Sequence, residues 1–182
     1  MKHALVVGGT GMLAGVSLWL VNQGYQVSVI GRNPNRMESL AGKTEDKNAI
    51  TPVLVDYSNE VLLKENVRSI IKENGPIQLV IAWIHSYAER SIDIILQEVS
   101  KQNDKWRLYH VLGSSKNLNE IKKKISTPDT CLYRQIQLGF ILENDNSRWL
   151  TNEEISQGVI DSIQNDRLIY TVGTIEPWGK RP

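Results

Sequence analysis

The residues best placed to do chemistry begin at Gly8. Gly8, Gly9, Thr10, Gly11, Met12, Leu13 and Ala14 follow an apolar run at 4–7 and precede a helix-like pattern. Gly9-Thr10-Gly11-Met12-Leu13-Ala14 fits the G-x-G-x-x-G/A form of a dinucleotide-binding turn. In that reading Gly8 or Gly9 permits the tight turn, and Gly11 lets a pyrophosphate approach the backbone. Ala14 lets the following helix pack closely on its strand. The phosphates would meet free N–H groups at the positive end of a helix. Glycine-rich turns also arise for structural reasons alone, but here the turn sits between a strand pattern and a helix pattern, the context the chemistry requires.

Two further groups complete the candidate site. Gly31-Arg32 ends the second apolar run, with Arg36 one helical turn beyond, and neither Asp nor Glu stands there to bind a ribose 2′-hydroxyl. An arginine at that place accommodates a 2′-phosphate, so NADP is expected over NAD. The alternative is two arginines decorating a solvated loop. His85 ends the fourth apolar run, and Ser114 and Ser115 follow the fifth. His85 is the first candidate proton donor because imidazole titrates near neutral pH, with Tyr87 and Ser114 next. Against this, His85 could simply cap a strand end. His110 reads as a satisfied core residue, and Tyr133 as either a site or a core residue.

The elements that must hold these groups alternate. Strands are expected at 4–7, 27–30, 50–55, 79–84, 107–112, 136–140 and 168–172, the fourth apolar throughout as in a parallel strand buried on both faces. Helices are expected at 12–22, closed by Gly24, and from Asn33-Pro34 to Leu40. A third, capped by Ser58, runs to Gly75-Pro76, and a fourth carries Ile92, Ile95, Leu96 and Val99. A short lysine-rich helix spans 118–125. The last helix opens on a Thr151/Glu154 capping box, with Leu150 and Ile155 stapled across it. The expected fold is α/β, a Rossmann-type doubly wound, mainly parallel sheet of about seven strands with helices on both faces.

Bulk properties bound the function. The 182 residues suit one domain, 1–182, rather than two. With 21 basic and 20 acidic residues the net charge is +1, which gives no footprint for nucleic acid or an acidic membrane. One cysteine, Cys131, and three scattered histidines offer neither a disulfide nor a metal set. With no apolar leader and no run long enough to span a bilayer, a cytoplasmic protein is expected.

Taken together, the glycine turn, Gly31-Arg32, Asp56 after strand three and Gly113-Ser114-Ser115 after strand five resemble the short-chain dehydrogenase/reductase superfamily over most of the chain. Residues 7–14 are similar to the family's T-G-x-x-G-x-x-G/A loop, with Val7 in place of threonine. The resemblance implies that Asp56 contacts the adenine and Arg32 the 2′-phosphate. It puts Ala82, Trp83, Ile84 and His85 beside the cofactor, and Ser114, or Ser115 one place on, at the active-site serine. The family's Tyr-x-x-x-Lys pair is absent, because the residues four beyond the six tyrosines are Val29, Val61, Ser91, Gly113, Gln137 and Thr174. The stretch after Ser115 is also too short for the helix that carries that pair and builds the usual dimer. Any homo-oligomer would therefore not use those helices.

Two functions are weighed. The first is an NADP-dependent oxidoreductase acting on a small carbonyl or flavin-like substrate, with the cofactor supplying the hydride. The second is a non-catalytic NADP-binding redox sensor, motivated by the missing pair. A Rossmann methyltransferase fits less well, since Arg32 stands where an adenosyl cofactor favours an acidic partner.

Overall fold

The computed structural model describes residues 1–102, 104–144 and 146–182. Seven strands form one sheet in the order β3-β2-β1-β4-β5-β6-β9, with every neighbouring pair parallel. They are β1 (Lys2–Val7), β2 (Tyr25–Gly31), β3 (Ile50–Leu54), β4 (Ile77–Trp83), β5 (Trp106–Leu112), β6 (Cys131–Leu138) and β9 (Ile169–Val172). Between β6 and β9 the chain makes a separate antiparallel hairpin of β7 (Phe140–Glu143) and β8 (Asn146–Trp149). The helices are α1 (Ala14–Asn22), α2 (Pro34–Ala41), α3 (Glu60–Asn74), α4 (Arg90–Ser100), α5 (Leu118–Lys124) and α6 (Asn152–Gln164).

Both faces of the sheet are covered. On one, Leu63, Val67 and Ile70 of α3 and Ile92, Ile95, Leu96 and Val99 of α4 pack on Leu5, Val7, Val80 and Leu108. On the other, Val16 and Leu20 of α1, Met37 and Leu40 of α2, and Ile155, Val159 and Ile163 of α6 pack on Val6, Val29, Ile81 and Val111. Alternate strand residues thus feed two cores, which is why the central strands read as unbroken apolar runs. The helix α5 contributes no buried residue. The chain order reverses between β1 and β4, and Val7 is level with Ile30 on one side and Ala82 on the other. The carboxyl ends of β1, β2 and β4 therefore open at one height beside the switch point, where open α/β sheets bind ligands.

Several local expectations need correction. The first helix begins at Ala14, not residue 12, because residues 8–13 are turns. Asn59, not Ser58, caps α3 by accepting from Leu62 N–H at 3.1 Å; Ser58 instead bonds to Asp56. The sixth strand starts at Cys131 and ends at Leu138, with Phe140 already in the hairpin. The capping box at Thr151 and Glu154 forms as read, and Leu150 and Ile155 share the core below it.

Candidate functional site

A cleft of about 580 Å³ opens above β1, β2 and β4. It brings together Gly8, Thr10, Gly11, Met12, Arg32, Trp83 and His85. The turn that forms its floor is built glycine by glycine. Gly8 has φ +78°, a left-handed conformation, and its N–H donates to Ile30 O at 3.0 Å, tying the turn to β2. Gly9 is buried, and a Cβ there would lie 2.8 Å from Val6 Cγ1 and Val29 Cγ1 and 2.9 Å from Ser17 Oγ. Close packing of helix on sheet thus falls to Gly9, not to the half-buried Ala14. A Cβ on Gly11 would meet nothing within 4 Å. Thr10, Gly11 and Met12 line the cleft, and among the described residues their backbone N–H groups make no hydrogen bond to the protein, which leaves them available as donors.

Two serines that the sequence reading passed over hold this turn. Ser17 Oγ lies 3.3 Å from both Gly9 O and Leu13 O. Ser156 of α6 donates to Met12 O at 2.8 Å, and its side chain fills the gap left by Gly15, where a Cβ would come within 2.8 Å. The link to α6 spans 144 residues of sequence, and no local pattern announces it.

At the β2 end, Arg32 pairs with Asp56 at 3.3 Å, with both side chains largely open to solvent. Asp56 also accepts from Ser58 N at 2.9 Å and Ser58 Oγ at 2.7 Å. These bonds, followed by the guanidinium, hold its carboxyl below the ordinary range. Arg36 lines the same cleft, and its backbone N–H meets the cap residue Asn33 at 3.0 Å.

An aromatic strip borders the other side, with Trp83, His85 and Tyr57 lining the cleft and Tyr87 just outside it. Trp83 meets His85 edge-on at 5.8 Å, His85 stacks on Tyr87 at 5.6 Å, and Tyr87 stacks on Tyr57 at 6.4 Å. The His85 N–H donates to Tyr57 Oη at 3.3 Å, while Tyr57 O accepts from Ser91 Oγ of α4 at 2.7 Å. Tyr57 was not expected in the site; its position next to Asp56 was the available signal. The Trp83 indole reaches from Gly8 to Gly113, 3.6 Å and 3.8 Å from where their Cβ atoms would be. It lies across the carboxyl ends of β1 and β5.

Not every expected residue reaches the cleft. Leu13 and Ala82 are fully buried in the two cores behind it. Ser114 and Ser115 do not line it; the Ser114 carbonyl accepts from Gln137 Nε2 at 3.2 Å. His110 and Tyr133 are buried together on the opposite face of the sheet, Nδ1 to Oη at 2.9 Å. Among the described residues no cluster of three or more His, Cys, Asp or Glu could hold a metal ion. No helix there is long and apolar enough to cross a membrane.

No family model matches the chain, and no curated protein matches it in sequence. Solved structures do match. A short-chain dehydrogenase/reductase from Serratia marcescens superposes with a TM-score of 0.73 at 15% identity, covering 95% of this chain and 96% of that one. The fold is that of a short-chain dehydrogenase/reductase. An alcohol dehydrogenase from Thermococcus sibiricus, complexed with 5-hydroxy-NADP, shares this short-chain dehydrogenase/reductase fold with a TM-score of 0.71 at 13% identity over 96% of both chains. A citronellol catabolism dehydrogenase from Pseudomonas aeruginosa gives 0.69 at 15% identity over 94% and 93%.

Proposed function

We propose that residues 1–182 act as a single domain that binds NADP(H) in this cleft and transfers hydride to or from a small carbonyl or flavin-like substrate. The observation that carries the reading is the meeting of an open Gly11 face, free N–H donors and two arginines in one cleft. The donors of Thr10, Gly11 and Met12 suit a pyrophosphate, with Gly8, Gly9 and Leu13 fixing the turn's shape. Arg32 takes the 2′-phosphate in exchange for its exposed pairing with Asp56, leaving Asp56 for the adenine. The complex of the similar Thermococcus sibiricus enzyme with an NADP derivative supports the same choice of cofactor over NAD.

When bound, NADP(H) supplies or accepts the hydride. The protein's part is orientation, water exclusion and the proton. Trp83 covers the strand ends, with Ala82 packed in the core behind it. His85, held between Trp83 and Tyr87, delivers the proton to the substrate oxygen, with Tyr87 as the neighbouring hydroxyl. Ser114 and Ser115, which follow β5 outside the cleft, take no part in this reading. The buried Cys131, its thiol pushed up to about 12 by burial, suits a reducing cytoplasm.

Titration with NADPH and NADH, followed by tryptophan fluorescence, tests the cofactor assignment. NADPH is expected to bind at least about tenfold more tightly, since hydrogen bonds to a charged group carry that much affinity. Arg32→Ala removes the preference and leaves NADH affinity in place. Binding of neither nucleotide overturns the reading. Turnover lost in His85→Ala then supports catalysis, whereas binding without hydride transfer to a carbonyl, quinone and flavin panel favours the sensor.

A further inference from the structure

On the face of the sheet away from the glycine turn lies a second, smaller cavity of about 200 Å³. Ile84, Ile92, Leu112, Ile121 and Ile125 give it apolar walls, His110 of β5 lines it from the sheet, and the charged Glu89, Arg90, Asp93, Lys116 and Lys124 also border it. It is separate from the cofactor cleft. Ile84 and Ser86 line the cavity while Trp83 and His85 line the cleft, so residues 83–86 are the wall between the two. The short α5, which buries nothing, leaves this space open. A cavity of about 150 Å³ accepts benzene, so a ring-sized molecule fits here.

The polarity of the cavity is fixed by a chain of hydrogen bonds. Gln135 Nε2 donates to Leu118 O at 2.9 Å and to Tyr133 Oη at 3.3 Å. With that oxygen already accepting, the Tyr133 proton has one partner among the described residues, His110 Nδ1 at 2.9 Å. A ring that accepts at Nδ1 carries its proton on Nε2. His110 is 94% buried by its 6% exposure, and among the described residues Nε2 has no protein partner, nor is it sealed off as a buried orphan. Burial, and then Lys116, lower its pKa to about 4, so near neutral pH the ring is uncharged and offers one N–H donor. Lys116 pairs with Glu89 at 3.2 Å and Arg90 with Glu60 at 3.4 Å, and the remaining two charged lining residues, Asp93 and Lys124, are of opposite sign, so the border carries no net excess of charge to call for an ionic ligand.

We propose that this cavity is a second small-molecule site, which binds a compact, uncharged, apolar carbonyl compound whose oxygen accepts from His110 Nε2–H. Apolar walls with a donor placed on the sheet side select for shape and for an acceptor at that end, with the charged border left to solvent. The site does not depend on nucleotide binding in the other cleft.

The test is an NMR titration of the unliganded protein with cyclohexanone and with methylenecyclohexane, which has the same shape but no acceptor oxygen. The ketone is expected to saturate and to bind about three- to tenfold more tightly, the worth of one net hydrogen bond. In the wild-type protein the ¹⁵N spectrum should show His110 protonated at Nε2, with that resonance moving as ketone is added. His110→Phe, which keeps a ring but removes the donor, should equalise the two probes. Ile121→Trp, which fills the cavity from α5, should abolish both. Equal affinities in the wild type, protonation at Nδ1, or ketone binding unchanged in Ile121→Trp would overturn the proposal. NADPH binding measured on the same samples reports separately on the cofactor cleft.

Discussion

At Gly9 and Gly11 one added methyl group has opposite consequences. On Gly9 it would press into Val6, Val29 and Ser17 at 2.8–2.9 Å, so Gly9→Ala should lower stability by about 1–3 kcal/mol, read as a shifted denaturant midpoint. On Gly11 it would enter open space, so Gly11→Ala should leave the midpoint within about 0.5 kcal/mol of wild type. The same methyl would stand among the free N–H donors and should weaken NADPH about tenfold in a fluorescence titration. If the two variants behave alike, the glycines have not been given their correct tasks. The motif alone leaves this division open: its register allows Gly8 or Gly9 at the turn, and the atoms that decide, on Val29 and Ser17, arrive from later elements. Arg32 and His85 were legible because each ends a strand whose pattern is local. Tyr57 and Ser156 join through tertiary contacts that no spacing encodes.

Among the elements, α6 was legible in full and β6 only in its last residues, Ile136 to Leu138. The Thr151 and Glu154 box lies within four residues, and Arg148 adds a fork onto Glu154 at 2.9 Å. Thr151→Ala should cost about 1 kcal/mol and lower Tm by about 2–4 °C in calorimetry. A larger fall in NADPH affinity than in stability would show that the cap also holds Ser156 against the glycine turn. The strand β6 hides its character in polar residues. Gln135 and Gln137 are buried in it, and their amides donate to the carbonyls of Leu118, Lys116 and Ser114 in the connection from β5 and, from Gln135, to Tyr133 Oη. An apolar-pattern reading sees two glutamines and starts the strand at Ile136. The small β7–β8 hairpin escaped for a similar reason, since Gly139 lets Phe140 turn away to bond with Thr174.

Across the whole molecule, buried imidazoles make stability depend on pH. His110 is held at about 4 against an ordinary 6.5, and burial lowers His3 as well. Between those two values the unfolded chain binds a proton that folded His110 refuses, so stability falls as pH drops from about 6.5 towards about 4. For His110 this is on the order of 2 kcal/mol between pH 6.5 and pH 5, at 1.36 kcal/mol per pH unit. Urea denaturation at those two pH values should show the loss, and His110→Phe should remove about that much of it. An unchanged slope in the variant would mean that His110 is not held neutral by the fold. The layered architecture itself was readable from composition and alternation, because two apolar faces on every central strand demand helices on both sides.

The sheet also has two free edges, β3 and β9. Pro52 sits in the middle of the five-residue β3, level with Val29 of β2, and offers no N–H to a newcomer. A stray chain trying to extend the sheet there would meet a gap in the row of donors. The proline thus guards the β3 edge of the sheet against strand-by-strand aggregation.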